Sequence, residues 1–307
     1  MRALPVALAV VALAAATGCG LGPGSTPSGV RLTVTRDFGT RVLHRLDAPR
    51  VVGQETVMRL LEANARVSTR YGGGFVQSID GQAGGREGAR PIDWFYYVNG
   101  SEAAVGATDR RVAPGDRVWW DRHDWGAAMA TPAVVGSFPE PFLHGSDGKR
   151  LPVRVECAPA ESDACTTVTE RLGSLGVPAA RGTLDVSAGA NTLRVLVGPW
   201  SMLRGDTTAA RLEQGPAASG VYAKPSSTGA AIALLNPTGA TTTTLGAGAG
   251  LVAAIREGDH QPIWLVTGTD AGGVSRAADA LDEQTLRDRF AVALAATGPL
   301  SVPEVAR

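Results

Sequence analysis

The stretch Trp94-Phe95-Tyr96-Tyr97-Val98-Asn99-Gly100, followed by Pro114-Gly115-Asp116-Arg117-Val118-Trp119-Trp120-Asp121-Arg122-His123-Asp124-Trp125, decides how this chain is read. Four of the six tryptophans and two of the four tyrosines fall there, in about a tenth of 307 residues, although aromatic residues are 5% of the whole. Residues 93–98 and 117–121 read as strands, with turns at Asn99-Gly100 and Pro114-Gly115-Asp116. Side chains alternate across a strand, so Trp94 and Tyr96 take one side and Phe95 and Tyr97 the other. Trp119 opposes Trp120 in the same way. A single sheet backed by one helix buries only one of those faces. The other needs cover from a second unit, a ligand or a partner, since a large exposed aromatic patch marks an interaction surface.

The flanking sequence supplies the helix and the remaining strands. Residues 30–37 alternate with period two, Phe38-Gly39 makes a turn, and residues 40–46 return as a second strand. Residues 56–65 form the clear helix, with Val57, Leu60 and Leu61 on its buried side. Residues 67–71 and 75–79 flank Gly72-Gly73-Gly74 as another strand pair, and a Gly-rich loop occupies 80–90. Two strands, a helix and a return of strands is the order of an α+β, β-grasp-like domain over residues 30–125.

Taken together, Tyr96-Tyr97-Val98-Asn99-Gly100, Gly106, the Pro114-to-Trp119 run and Trp125 resemble the carboxy-terminal β-domain of transcobalamin and intrinsic factor. They also resemble the bacterial domain of unknown function grouped with it. The resemblance covers about one third of the chain. In the eukaryotic carriers this domain closes over cobalamin together with a large helical domain, which this sequence lacks. The resemblance implies a small ligand-binding module with an aromatic face, and cobalamin or another corrinoid as the ligand. The candidate ligand-binding residues are Trp94, Tyr96, Asn99, Trp119, Trp120, His123 and Trp125.

At the amino terminus Arg2 precedes an apolar run over residues 4–16, interrupted by Pro5. It is shorter than the roughly 20 residues of a membrane-spanning helix and reads as a signal peptide. Ala16-Thr17-Gly18-Cys19 resembles a bacterial lipobox. The expectation is a lipoprotein signal peptide over 1–18, a lipidated Cys19, and a flexible spacer over 19–29. An ordinary secretory signal is the alternative. Either places the protein outside the cytoplasm, and lipidation anchors it to the cell membrane, where a membrane transporter is a candidate partner. With 29 basic and 29 acidic residues and no basic run, nucleic acid is not an expected partner.

Cys157 and Cys165 form an even pair in an exported chain, which favours a disulfide. A metal or redox role is the alternative, with the wrong spacing for a thioredoxin-type motif and no nearby His. Residues 126–150 form a proline-rich connector. Pro139 and Pro141 imply an ordered, extended strap anchored by Phe138 and Phe142.

Residues 151–300 read as an α/β domain with a mixed sheet. Strands are expected over 153–157, 192–198, 220–223, 230–236 and 262–268. Helices are expected over 164–175, 201–213, 250–257, 273–281 and 283–295. The strand-end loops 198–200, 236–239 and 267–270 are where such folds bind ligands.

No catalytic signature stands out. Gly246-Ala247-Gly248-Ala249-Gly250 lacks the third glycine of a nucleotide fingerprint, which falls on Leu251. Asp259-His260 could serve Ser219 only through an assumed geometry. Asp270 is either a base or a helix cap. Asp121-Arg122-His123-Asp124 is either part of a metal site or a salt-bridged turn. The sequence therefore points to a non-enzymatic envelope lipoprotein that binds a small molecule for capture or uptake. A structural or interaction protein with an inter-domain aromatic cluster is the alternative, and an envelope enzyme is a third class.

Overall fold

A nine-residue strand with bulky rings on both faces needs apolar cover on both. The computed structural model shows where that cover comes from. It describes residues 27–305 apart from 52, 54, 146–147 and 185–188. The signal peptide, Cys19 and most of the spacer lie outside the described residues.

The chain is a mixed α+β structure, and its described residues form four sheets. The first part holds β1 (Arg31–Arg36), β2 (Arg41–Leu46), α1 (Val57–Asn64), β3 (Val67–Arg70), β4 (Phe75–Ile79) and β5 (Gln82–Ala83). It continues with β6 (Gly85–Glu87), β7 (Arg90–Val98), β8 (Ser101–Glu102) and β9 (Arg117–Asp124). Strand order in the main sheet is β2-β1-β9-β7-β6, with β8 hydrogen-bonded to β7, while β3-β4-β5 form a small separate sheet. The central β9 runs parallel to β1 and antiparallel to β7, placing Trp120 beside Val34 and Tyr96, and Trp119 beside Tyr97. Thr56 caps α1 by accepting from the Arg59 amide. That helix buries Val57, Leu60 and Leu61 against Leu32, Val34, Trp94, Tyr96 and Trp120.

The second part holds β10 (Val153–Cys157), α2 (Ser162–Ser174), β11 (Ala179–Thr183), β12 (Leu193–Pro199), α3 (Trp200–Leu203) and α4 (Pro216–Ser219). There follow β13 (Ala223–Pro225), β14 (Ile232–Leu235), β15 (Thr241–Leu245), β16 (Gly250–Ile255) and β17 (Ile263–Gly268). The last elements are α5 (Ala271–Asp279), α6 (Glu283–Leu286), β18 (Ala291–Ala295) and β19 (Gly298–Val302). The large sheet has the order β11-β10-β12-β17-β16-β18-β19. It is mixed: β11, β10, β12 and β17 are parallel, and β16, β18 and β19 join antiparallel. Helices α2 and α5 pack on one face through Val168, Leu172, Val274 and Ala277. Cys157, ending β10, is disulfide-bonded to Cys165 in α2 with a Cα–Cα distance of 6.1 Å. The expected disulfide is therefore present.

The other face of the large sheet meets the face of the first sheet that carries Tyr97 and Trp119. Tyr97, Trp119 and Phe38 share one apolar cluster with Leu196, Tyr222, Leu251, Leu265 and Phe290. Phe290 stands edge-on to Phe38, Tyr97, Trp119 and His123, at centroid distances of 5.1, 5.6, 5.2 and 5.3 Å. Two glycines allow this approach. Gly39 has φ +80°, and a Cβ there would lie 1.8 Å from the Asp288 carbonyl oxygen. A Cβ on Gly136 would lie 2.7 Å from the Arg289 amide.

Several expected elements differ. Residues 250–257 hold strand β16 rather than a helix, and 283–295 hold the short α6 followed by β18. The interval 201–213 contains α3 and a 3-10 turn over Ala209–Gln214 in place of one long helix. Strand β16 is buried along its whole length, so it carries no periodicity to distinguish it from a buried helix. The strap is a run of turns over 136–144 rather than an extended segment. Its anchors are as expected: Phe138 and Phe142 pack on Trp264 at 5.9 and 5.0 Å.

Truncating Phe290 to Ala removes the ring shared by both sheets, and should cost about 3–5 kcal/mol in urea unfolding. Phe75, 37% exposed, is the control, and its change to Ala should stay within about 0.5 kcal/mol. Equal effects of the two substitutions would contradict the central role of Phe290.

Candidate functional site

Strand alternation separates the seven candidate residues. Trp94, Tyr96 and Trp120 lie in the core under α1. The Trp94 indole donates to the Gln82 carbonyl at 2.9 Å, and the Tyr96 hydroxyl to the Val105 carbonyl at 2.6 Å. Tyr96 stacks on Trp120 at 4.9 Å, and burial pushes its hydroxyl up to about 12. Trp119 and His123 face the opposite way, into the seam between the sheets. Asn99 is a turn residue at φ 52° whose side chain donates to Asp116 and to the Gly145 carbonyl, at 2.9 and 2.7 Å. It ties the strap to the first sheet. Trp125 is half-buried and donates to Asp93 at 2.9 Å. The structure does not bring these residues onto one surface.

The seam has a polar centre at Asp121, fully buried. Its carboxylate accepts from the Phe38 and Gly39 amides at 3.1 and 2.8 Å, from Thr35 Oγ1 at 2.5 Å, and pairs with His123 Nδ1 at 2.8 Å. The Trp119 indole donates to Thr35 Oγ1 at 2.7 Å. The His123 ring lies between Phe38 and Phe95, at 4.6 and 4.4 Å. Residues 121–124 thus continue β9 and form no turn. Arg122 points the other way, to the Ala83 carbonyl at 2.7 Å and to Glu87 at 2.6 Å. Among the described residues, no group of three or more His, Cys, Asp or Glu is placed to hold a metal.

At one edge of the seam a groove of about 630 Å³ opens between residues 101–113 and 256–262. Asp109, Arg110 and Arg111 line it from the first sheet's side, and Arg256, Asp259 and His260 from the second. Glu102 forms part of its floor. Its carboxylate accepts from the Thr131 amide at 2.8 Å, and its carbonyl from Arg256 at 2.9 Å. Burial pushes the Glu102 carboxyl above its usual range, against the Thr131 hydrogen bond and the pull of His123 and Arg256. Burial also lowers Arg256. Ser101 Oγ and Arg256 Nε are buried without a hydrogen-bond partner.

Sequence reasoning missed Arg110, Arg111 and Arg256 because they come from segments far apart in the chain. The signal available in the sequence is the polar Gly258-Asp259-His260-Gln261 turn, whose Asp259-His260 pair has no geometric link to Ser219. Ser219 is buried and donates to the Gly215 carbonyl at 2.9 Å. Asp270 is a helix cap that accepts from the Gly273 amide at 2.9 Å and the Gly248 amide at 2.6 Å. Gly250 begins a strand, so the glycine run opens no helix.

A model of a domain family of unknown function, DUF4430, matches residues 54–124. Among solved structures, a candidate metal-binding protein of Ruminococcus gnavus is similar at 15% identity and a TM-score of 0.25, over 32% of this chain and 97% of that one. No curated protein matches.

The raised Glu102 carboxyl has a definite consequence for stability. The folded state holds this proton more tightly than the unfolded chain, whose glutamate titrates near 4.5. The contribution is therefore full below that value and is lost as pH rises through the raised folded range. Glu102→Gln keeps an acceptor for Thr131 and removes the titration. Urea midpoints at pH 4 and pH 7 should favour the variant increasingly at the higher pH. A difference independent of pH would contradict this assignment. Asp116 and Glu140, raised in the same direction by burial, are common to both proteins and cancel.

Proposed function

We propose that this chain is a small-molecule-binding protein of the cell envelope, with two domains locked by the aromatic seam and the ligand held in the groove beside it. The observation that carries this reading is the groove. Its volume of about 630 Å³ falls within the ~300–1,000 Å³ of small-molecule sites, which occur preferentially between domains. Its walls carry both signs of charge, and two buried polar atoms at its base lack protein partners. That lining suits a polar ligand with hydrogen-bonding groups around its edge. The order of its strands, with β9 parallel to β1 and antiparallel to β7, supports reading the first domain as a β-grasp, with its aromatic residues serving as core and joint. Envelope placement rests on the lipobox-like Ala16-Thr17-Gly18-Cys19. The role is capture or uptake, without a chemical reaction, and a corrinoid is the ligand suggested by resemblance.

The test is calorimetric titration of the full chain with cobalamin, cobinamide and a panel of amino acids and other zwitterions. One of these should bind saturably. Replacing the exposed Asp259 and His260 by Asn and Ala should weaken it about tenfold, roughly 1.4 kcal/mol. If no probe binds the folded protein, the reading as a structural or interaction protein takes its place, with the packed seam as its supporting observation.

A further inference from the structure

A second groove, of about 670 Å³, lies at a different edge of the seam. Thr40 and Arg41 line it from the turn into β2, Arg289 from the segment before β18, and Leu300, Ser301 and Val305 from the carboxy-terminal part. Arg289 sets this groove apart. Its side chain is half-buried, and Nη1 is buried with no acceptor. Burial pulls its guanidinium down, and among the described residues no carboxylate forms an ion pair or hydrogen bond with it. Arg194 is the contrast within the same chain: Glu156 and Asp206 hold it at 2.6 and 2.8 Å and raise it.

The other charges of the groove do not neutralise Arg289. Arg41 is exposed and lies 3.5 Å from Asp37. Glu304, also on the wall, accepts a hydrogen bond from the Thr242 hydroxyl. The neighbouring Asp288 is paired with Arg45. An uncompensated, partly desolvated charge costs stability. The backbone of Arg289 is meanwhile held firmly. Its amide donates to the Leu286 carbonyl at 3.1 Å, and the missing side chain of Gly136 lets it lie close to Trp119. The fold therefore fixes the base of an unpaired guanidinium at the wall of an open, partly apolar groove.

We propose that this groove binds a small organic anion, with its carboxylate or phosphate on Arg289, assisted by Arg41, and its carbon skeleton against Leu300 and Val305. Guanidinium presents a planar fork that matches both anions with two parallel hydrogen bonds. The site is separate from the groove near Arg256 and does not depend on the function proposed for it.

Thermal unfolding of the full chain at constant ionic strength tests this, with benzoate, phenyl phosphate and the neutral isostere benzamide as probes. At least one anion should raise Tm saturably while benzamide does not. Arg289→Met should abolish the shift and leave the ligand-free Tm unchanged or higher, because the buried charge has no protein partner to lose. The Asp259 and His260 replacements should keep the shift. The proposal is overturned if both anions behave like benzamide, if the shift survives in Arg289→Met, or if that variant lowers the ligand-free Tm.

Discussion

A sheet that carries large rings on both faces cannot be satisfied by one helix, and the rest of this structure depends on how that demand is met. One side chain completes the second face. Phe290, supplied from beyond α6, places its edge against Phe38, Tyr97, Trp119 and His123 at once. Edge-to-face contacts of this kind add to the gain from apolar burial. The strap reinforces the arrangement by holding both sides. Its Phe138 and Phe142 pack on Trp264 of the large sheet. Arg117 of the first sheet donates to the Phe138 carbonyl at 2.6 Å. Ion pairs from Arg31 and Arg117 to Glu283, at 2.8 and 3.2 Å, close one rim.

The polar chemistry of the seam follows from the same burial. A carboxylate removed from water is tolerated only when its lone pairs are used. Asp121 accepts from two amides and Thr35 and pairs with His123. Those two amides belong to the left-handed turn at Phe38 and Gly39, so the carboxylate also fixes the turn that delivers Phe38 to the seam. At the edges the bookkeeping is incomplete. Ser101, Arg256 and Arg289 retain buried donors without protein partners. Ser101 and Arg256 line one groove and Arg289 the other, so these donors lie beside open space, whereas the Tyr97 and Tyr222 hydroxyls, also without a partner, are enclosed in the packed seam.

Strands β1, β2, β7 and β9 and helix α1 are legible in the sequence because turn and cap residues bound them, whereas β6 lies inside the expected Gly-rich loop over 80–90 and β8 is too short to show a pattern. Thr56 marks the start of α1, and Asn99-Gly100 and Pro114-Gly115-Asp116 mark the ends of β7 and the start of β9. The pairing of Cys157 with Cys165 is legible too, as are β10, β12 and β17 of the large sheet, while the strands expected over 220–223 and 230–236 contribute to a separate three-stranded sheet. Strands β16 and β18 were misread as helices because their apolar residues are buried on both sides. The strap was read as extended from its prolines, although local preference yields there to packing around Phe138 and Phe142. The candidate binding residues were sorted correctly into two faces by alternation, yet grouped as one surface.

By itself the sequence determined that rings would stand on both faces of β7 and β9, since the two-residue repeat of a strand is a local property of the backbone. It also determined that Cys157 and Cys165 were near enough in the chain to join. Only the tertiary structure decided what covers the second face, because Phe290 lies far from β7 in sequence and is brought there by the packing of one sheet on another. The grooves were decided in the same way. Arg110 and Arg256, or Arg41 and Arg289, line one groove only after the seam has closed, and no local pattern records a charge whose neighbours arrive from the far end of the chain.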